Sequence, residues 1–222
     1  MAGVITASEP SWIAPFTGLS PRQFSKLITA LRREGADPVR KGRPWSLPLE
    51  DRVLLVAAYW RTNLTLRQLA PLFGVSKSAA DRIIDHLGPS LALQQRKRFG
   101  KGTVLIVDGT LVPTRDHTIA EQSKAWELSG AKGAVGRTIV IADGGSRGTG
   151  LVIPHRRERG QAELPAWKEE HNASHRKVRA RVEHAFARMK TWKILRDCRL
   201  KGDGVHHAML GIARLHNLAL VG

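Results

Sequence analysis

Cysteine is almost absent: Cys198 is the only one in 222 residues. A single thiol excludes an internal disulfide and any zinc finger built on paired cysteines. Long apolar runs are missing as well. The longest, over residues 53–60, is far too short to span a bilayer. The first residues lack the basic start and apolar core of a signal peptide. No repeat or low-complexity tract interrupts the chain. Acids are scarce: 19 Asp or Glu stand against 36 Lys or Arg, a formal net charge of +17 with a pI near 11.1. Such a field points to nucleic acid or an anionic surface, without separating the two. Cytosol or nucleoid is the default location for a chain of this kind.

What is present concentrates in residues 175–201, which hold ten Lys or Arg and two acids, Glu183 and Asp197. Val178, Val182, Ala185, Phe186, Met189 and Trp192 recur at steps of three and four, which predicts an amphipathic helix with one face in a core. Glu183 lies at the edge of that face. It has two readings: an ordinary i−4 ion pair with Arg179, or a metal ligand among cations that hold a polyanion.

The first 19 residues show little periodicity and read as an irregular lead. Ser20-Pro21 then gives an N-cap with proline at the first helical position. Phe24, Leu27, Ile28 and Leu31 form the apolar stripe of that helix, and Gly35 stops it. Residues 39–44 read as a basic loop, and Pro48 opens a second helix to about Asn63. Next, Thr65 caps a short helix and Gly74 supplies a left-handed turn. Ser76 caps a further helix with Ala79, Ile83, Ile84 and Leu87 inward. Two capped helices around a glycine turn make the helix-turn-helix pattern. The start of the second helix in that motif enters the major groove. Ser76, Lys77, Ser78 and Arg82 are therefore the candidate DNA-facing residues, against the plainer reading of a helical hairpin with a solvated face. These helices are expected to bury their own core.

Residues 96–102 form a basic linker between a DNA-binding part, residues 20–95, and a second part, residues 103–222. The second part opens on three short β-branched runs, over residues 103–107, 138–142 and 151–154, and then turns helical, over 164–172, 175–201 and 206–220. Strands followed by helices predict an α/β half, α+β for the whole chain, with a parallel sheet of about three strands. The first run ends at Asp108 and the second at Asp143. Each aspartate alone can be a turn residue. Together with Glu183 they can converge as hard oxygen ligands for Mg²⁺ or Mn²⁺. Two such ions could serve the attacking and leaving oxygens of a phosphodiester.

The motifs LIVDGT (105–110), IADGGSRG (141–148), VIPHRRERG (152–160) and KVRARVEHAFARMKTWKILR (177–196) resemble the DDE transposases of bacterial insertion sequences. The likeness is nearest to the IS5-type group with an N-terminal helix-turn-helix, and it runs from about Ser20 to the end. It implies an RNase H-like catalytic fold, here reduced to a small sheet with C-terminal helices. It also implies DNA transposition by endonucleolytic cleavage and strand transfer. By the same likeness Asp108, Asp143 and Glu183 are the catalytic and metal-binding acids, holding two Mg or Mn ions. The implied partners are double-stranded DNA, as terminal inverted repeats and target, and a second copy in a homodimer. Arg176, Lys177, Arg179, Arg181, Arg188 and Lys190 are candidates for phosphate contacts.

The chain departs from the family pattern at Ser146 of GGSRG, where the likeness implies an aromatic, and in one longer region. Only 34 residues separate Asp108 from Asp143, and residues 115–136 show no alternation fit for a strand. A short helix over residues 119–128 is the only element expected there. The strand hairpin beside the first strand is expected to be missing, with an open edge along residues 104–107 and impaired catalysis. A catalytically impaired remnant that only binds DNA is the alternative function. A generic helix-turn-helix regulator is a third reading, but it leaves the Asp-ended strands unexplained. His155, His171, His175 and His184 read as solvated or core residues, Trp192 as a core anchor and Cys198 as inert.

Overall fold

The computed structural model describes residues 4–38, 44–94, 104–106, 111–115, 125–127, 139–142 and 151–221. Among them the chain is mostly helical, with seven α-helices and four strands of three residues each. Strand is far scarcer than the expected α/β half would supply. The chain forms two compact units, and neither is one continuous segment.

The first unit gathers Met1–Gln94, Val112–Trp126 and Met189–Gly222. The lead is not irregular: a 3₁₀ turn, Pro10–Trp12, runs into α1, Ile13–Thr17. Ile5, Ile13 and Leu19 are buried, so this segment is part of the core. Helix α2, Pro21–Arg33, starts on a capping box in which Ser20 and Gln23 exchange hydrogen bonds. Its four stripe residues are all buried, and Gly35 takes φ 77° after its end. Helix α3, Leu49–Thr62, is buried all round from Arg52 to Trp60 and forms the centre of the unit. The buried Arg52 is held by the Asp37 carboxylate and donates from Nε to the Leu47 carbonyl at 3.1 Å. Helices α4, Leu66–Leu72, and α5, Lys77–Leu91, follow.

The core of this unit is closed by distant sequence. Helix α7, Gly204–Leu220, packs on α5, and the 3₁₀ turn Lys193–Leu195 packs on α3. The expectation that the N-terminal helices bury their own core is therefore corrected. Trp192 is buried under the Arg61 guanidinium, 4.3 Å from its ring centre. Cys198 is buried, and its segment bridges to Thr114. Strand β2, Leu111–Pro113, pairs with β3, Ala125–Glu127. Two strands thus stand between residues 110 and 137 where none was expected; among the described residues they pair with each other and not with β1. Three residues are too few to display a period, which is why the sequence hid β3. Residues 116–124, where the short helix was expected to begin, lie outside the described residues.

Close packing makes one glycine decisive. A Cβ on Gly211 of α7 would come within 2.4 Å of two atoms of the Trp60 ring. Trp60 is fully buried in α3 and has nowhere to move. Gly211→Ala gains helix propensity of about 1 kcal/mol, but overpacking costs about 1–3 kcal/mol or more. The variant is expected to melt several degrees lower. A raised melting temperature, as at an exposed helical glycine, would contradict this packing.

The second unit holds Gln95–Leu111 and Glu127–Arg188. Strand β1, Val104–Ile106, pairs in parallel with β4, Ile139–Ile141. The third expected strand is reduced to a parallel bridge from Ile141 to Val152. The two helices expected over residues 164–172 and 175–201 are instead one helix, α6, Ala166–Met189. No glycine or proline interrupts residues 166–189, and Asn172 turns its amide to the loop rather than to a cap. The chain leaves the helix at Met189, because Trp192, Ile194 and Leu195 are buried in the first unit. The linker, residues 96–102, and the loop residues 39–43 lie outside the described residues.

Candidate active site and nucleic-acid interface

In the first unit the α4–α5 pair has the local chemistry of a tight turn between two capped helices. Thr65 and Gln68 form a capping box on α4, and Gly74 adopts φ 65°. At α5 the Ser76 Oγ accepts the Ala79 N–H at 3.2 Å. Ser76, Lys77, Ser78 and Arg82 are all exposed at the start of α5, where the helix dipole adds positive potential. The Arg82 Nε donates to the Ser78 carbonyl at 3.2 Å, which lays the guanidinium along that turn. Ala80, rather than Ala79, is the fully buried residue of the first turn. Trp45, not singled out from the sequence, lines a cleft of about 270 Å³ with Ser76, Ala79 and Arg82. Its ring lies 5.5 Å from His86 and 5.2 Å from the Arg52 guanidinium.

In the second unit the β1–β4 ladder pairs Val104 with Ile139, Leu105 with Val140 and Ile106 with Ile141. Asp108 and Asp143 follow two residues after Ile106 and Ile141 in the sequence and lie outside the described residues. Their separation, expected within about 8 Å, therefore has no described counterpart. Glu183 is on α6 with its side chain exposed. Arg176, Lys177, Arg181 and Arg188 are exposed on the same helix, and Arg179 and Lys190 are half-buried. Val178, Val182, Ala185 and Phe186 are half-buried rather than buried. Among the described residues no three His, Cys, Asp or Glu gather as a metal site. Only one of the three expected acids is in that set.

The attachment of α6 to the strands is explicit. The buried His175 donates from Nε2 to the Ala142 carbonyl at 2.9 Å, at the residue that precedes Asp143. The Ala142 N–H donates to the Val152 carbonyl at 2.9 Å. Asn172 clasps the next segment from both sides: its Oδ1 accepts the His155 N–H at 2.8 Å, and its Nδ2 donates to the His155 carbonyl at 3.0 Å. The His155 and His171 rings meet edge to face, with centres 4.8 Å apart. Desolvation, and then the charges of His171 and Lys168, hold the His155 imidazole below its ordinary pKa. Asn172 carried no signal in the sequence beyond its place in a polar stretch. No helix among the described residues is long and apolar enough to cross a membrane.

Comparison with known proteins adds two family matches. Residues 45–95 match the helix-turn-helix of DDE superfamily endonucleases, and residues 130–218 match the transposase DDE domain. A protein of Streptomyces albus G named "Putative transposase for insertion sequence element IS112" is 76% identical over the whole of both chains. That alignment spans 256 positions, whereas this chain has 222 residues, so at least 34 positions have no residue here. No solved structure matches.

Proposed function

The chain belongs to the insertion-sequence transposases with a helix-turn-helix and a DDE domain, and from that premise we propose that it binds its element's terminal inverted repeats and cuts and joins phosphodiester bonds there. Residues 20–95 read the DNA, residues 96–102 link, and residues 103–222 carry catalysis on an RNase H-like framework. Asp108, Asp143 and Glu183 are the catalytic acids. The observation that supports them best is the ladder register. Ile106 pairs with Ile141, and each precedes an aspartate by two residues. The His175 bond to Ala142 supports bringing α6, and Glu183 with it, to the same strand end.

Three carboxylates are a donor set suited to Mg²⁺ or Mn²⁺, and a pair of such ions, when bound, would stabilise charge on the attacking and leaving oxygens. The protein's own part is to hold the acids and orient the DNA. Arg176, Lys177, Arg179, Arg181, Arg188 and Lys190 grip phosphates and so fix register without reading sequence. Ser76, Lys77, Ser78 and Arg82 meet base edges and flanking phosphates in the major groove. A homodimer brings two ends together, and the work takes place at the nucleoid. Nicking of a supercoiled plasmid carrying the element ends by the purified chain, dependent on Mg²⁺ or Mn²⁺, tests this reading. Intact plasmid at saturating protein would sink it.

DNA binding makes a separate prediction. Affinity of the full chain for end duplex should fall steeply with salt, since phosphate neutralisation releases counterions. Lys77→Ala with Arg82→Ala should weaken binding by roughly 10–100-fold, at about 1–3 kcal/mol for a base contact and less for a phosphate. Both side chains are exposed, so the fold should not change. Unchanged affinity in the double variant would remove α5 from the interface.

A further inference from the structure

Trp167 is 60% exposed in the first turn of α6. Among the described residues the other large apolar side chains at least as exposed are Val4, Leu220 and Val221, near the two ends of the sequence; Val152 is less so, at 36%. Val152 lines a groove of about 660 Å³ formed by residues 151–158 and His171. The His155 ring in that groove meets Trp167 edge to face, with centres 5.2 Å apart and planes at 76°.

The platform is built rather than accidental. Asn172, nine-tenths buried, fixes His155 through two backbone hydrogen bonds. His175 fixes α6 to Ala142, and Ala142 fixes residue 152. His171 stands behind His155, and its buried Nδ1 has no hydrogen-bond partner. One cation is placed over the indole. Lys168 Nζ lies 5.5 Å from the ring centre. Arg156 and Arg157 line the groove and are exposed, and Arg157 donates from Nη1 to the Ala162 carbonyl at 2.9 Å. Glu158 is the one acid in the lining, and Glu169 and Glu170 are exposed on α6 nearby.

We propose that Trp167 and His155 form a stacking platform for an unpaired DNA base, with Arg156 and Arg157 holding the phosphates on either side of it. The inference rests on the transposase reading, because cut or frayed element ends supply unpaired bases. A base within a duplex offers its edges and not its face, so only a base out of the stack can lie on the indole. Every base has a π-face, so such a platform works without reading sequence. The paired arginines in the groove lining suit a polyanionic strand better than a neutral ligand.

The test uses the full chain and two labelled DNAs, a blunt duplex and the same duplex with a short single-stranded extension. The parent is expected to bind the extended DNA about tenfold more tightly, within the range for one stacked base. Trp167→Ala should remove that preference and leave the blunt duplex within about twofold, while Trp167→Phe should keep most of it. Arg156→Ala with Arg157→Ala should lower the salt slope on the extended DNA by about two. Equal binding of the two DNAs by the parent would overturn the platform alone. So would a Trp167→Ala loss that is the same on both. Binding to neither DNA would overturn the DNA reading itself and the platform with it.

Discussion

A chain ending at residue 203 is expected to lose its helical unit and with it all specific DNA binding. Helix α7 buries Val205, Ala208, Met209, Ile212 and Leu215, and its main neighbour is α5, the helix proposed to meet DNA. Four of these are large apolar residues, at about 1.5–3 kcal/mol each when buried. Even discounted for a compact unfolded state, that rivals a typical total stability of about 5–15 kcal/mol. Polar ties would go as well. Gln23 donates from Nε2 to the Leu218 carbonyl at 2.9 Å, and the Leu93 N–H donates to the Leu210 carbonyl at 3.2 Å. Arg214 grips Glu34 through both carboxylate oxygens, at 2.7 and 3.0 Å. Loss of cooperative melting together with loss of duplex binding is the expected result. A truncated chain that melts cooperatively and binds as the parent does would show that α2 to α5 hold themselves.

That dependence is what the sequence could not display. Caps and turns are local, so Ser20-Pro21, Thr65 with Gln68, Ser76, Gly35 and Gly74 could be read from neighbours within a few residues. The stripe of α2 was legible for the same reason, since four residues at helical spacing define one face. Which surface covers that face is a long-range fact. The apolar residues of α7 announce a helix and not its partner, and nothing in residues 1–19 marks Ile5, Ile13 and Leu19 as core. Strand β3 is too short to show a period. The fused α6 escaped because a polar stretch with Asn172 looked like a break, although Asn172 spends its amide on His155. The exposed basic start of α5 was legible from capping and charge. The Trp167–His155 pair was not, because a clasp between two separate elements assembles it.

Glu183→Gln is expected to abolish cleavage while leaving DNA binding intact. The substitution keeps size and removes one negative charge. Its side chain is exposed, so stability should change by less than about 0.5 kcal/mol. If Glu183 supplies an oxygen to the catalytic ions, its loss should slow cleavage by at least about 10³-fold, or roughly 4 kcal/mol of barrier. Affinity for end duplex should stay within about twofold, because the substitution leaves in place both the contacts proposed on α5 and the cations proposed to grip phosphates on α6. The same pair of assays separates the rival readings. A Glu183→Gln chain that cleaves like the parent would leave the glutamate as an ordinary partner for a basic neighbour. A parent that binds the ends and never cleaves them, whichever ion is supplied, would match the impaired remnant. It would also give weight to the 34 or more alignment positions that have no residue here. Cleavage by the parent that fails in Glu183→Gln, with binding equal in the two, is the result that a working DDE enzyme requires.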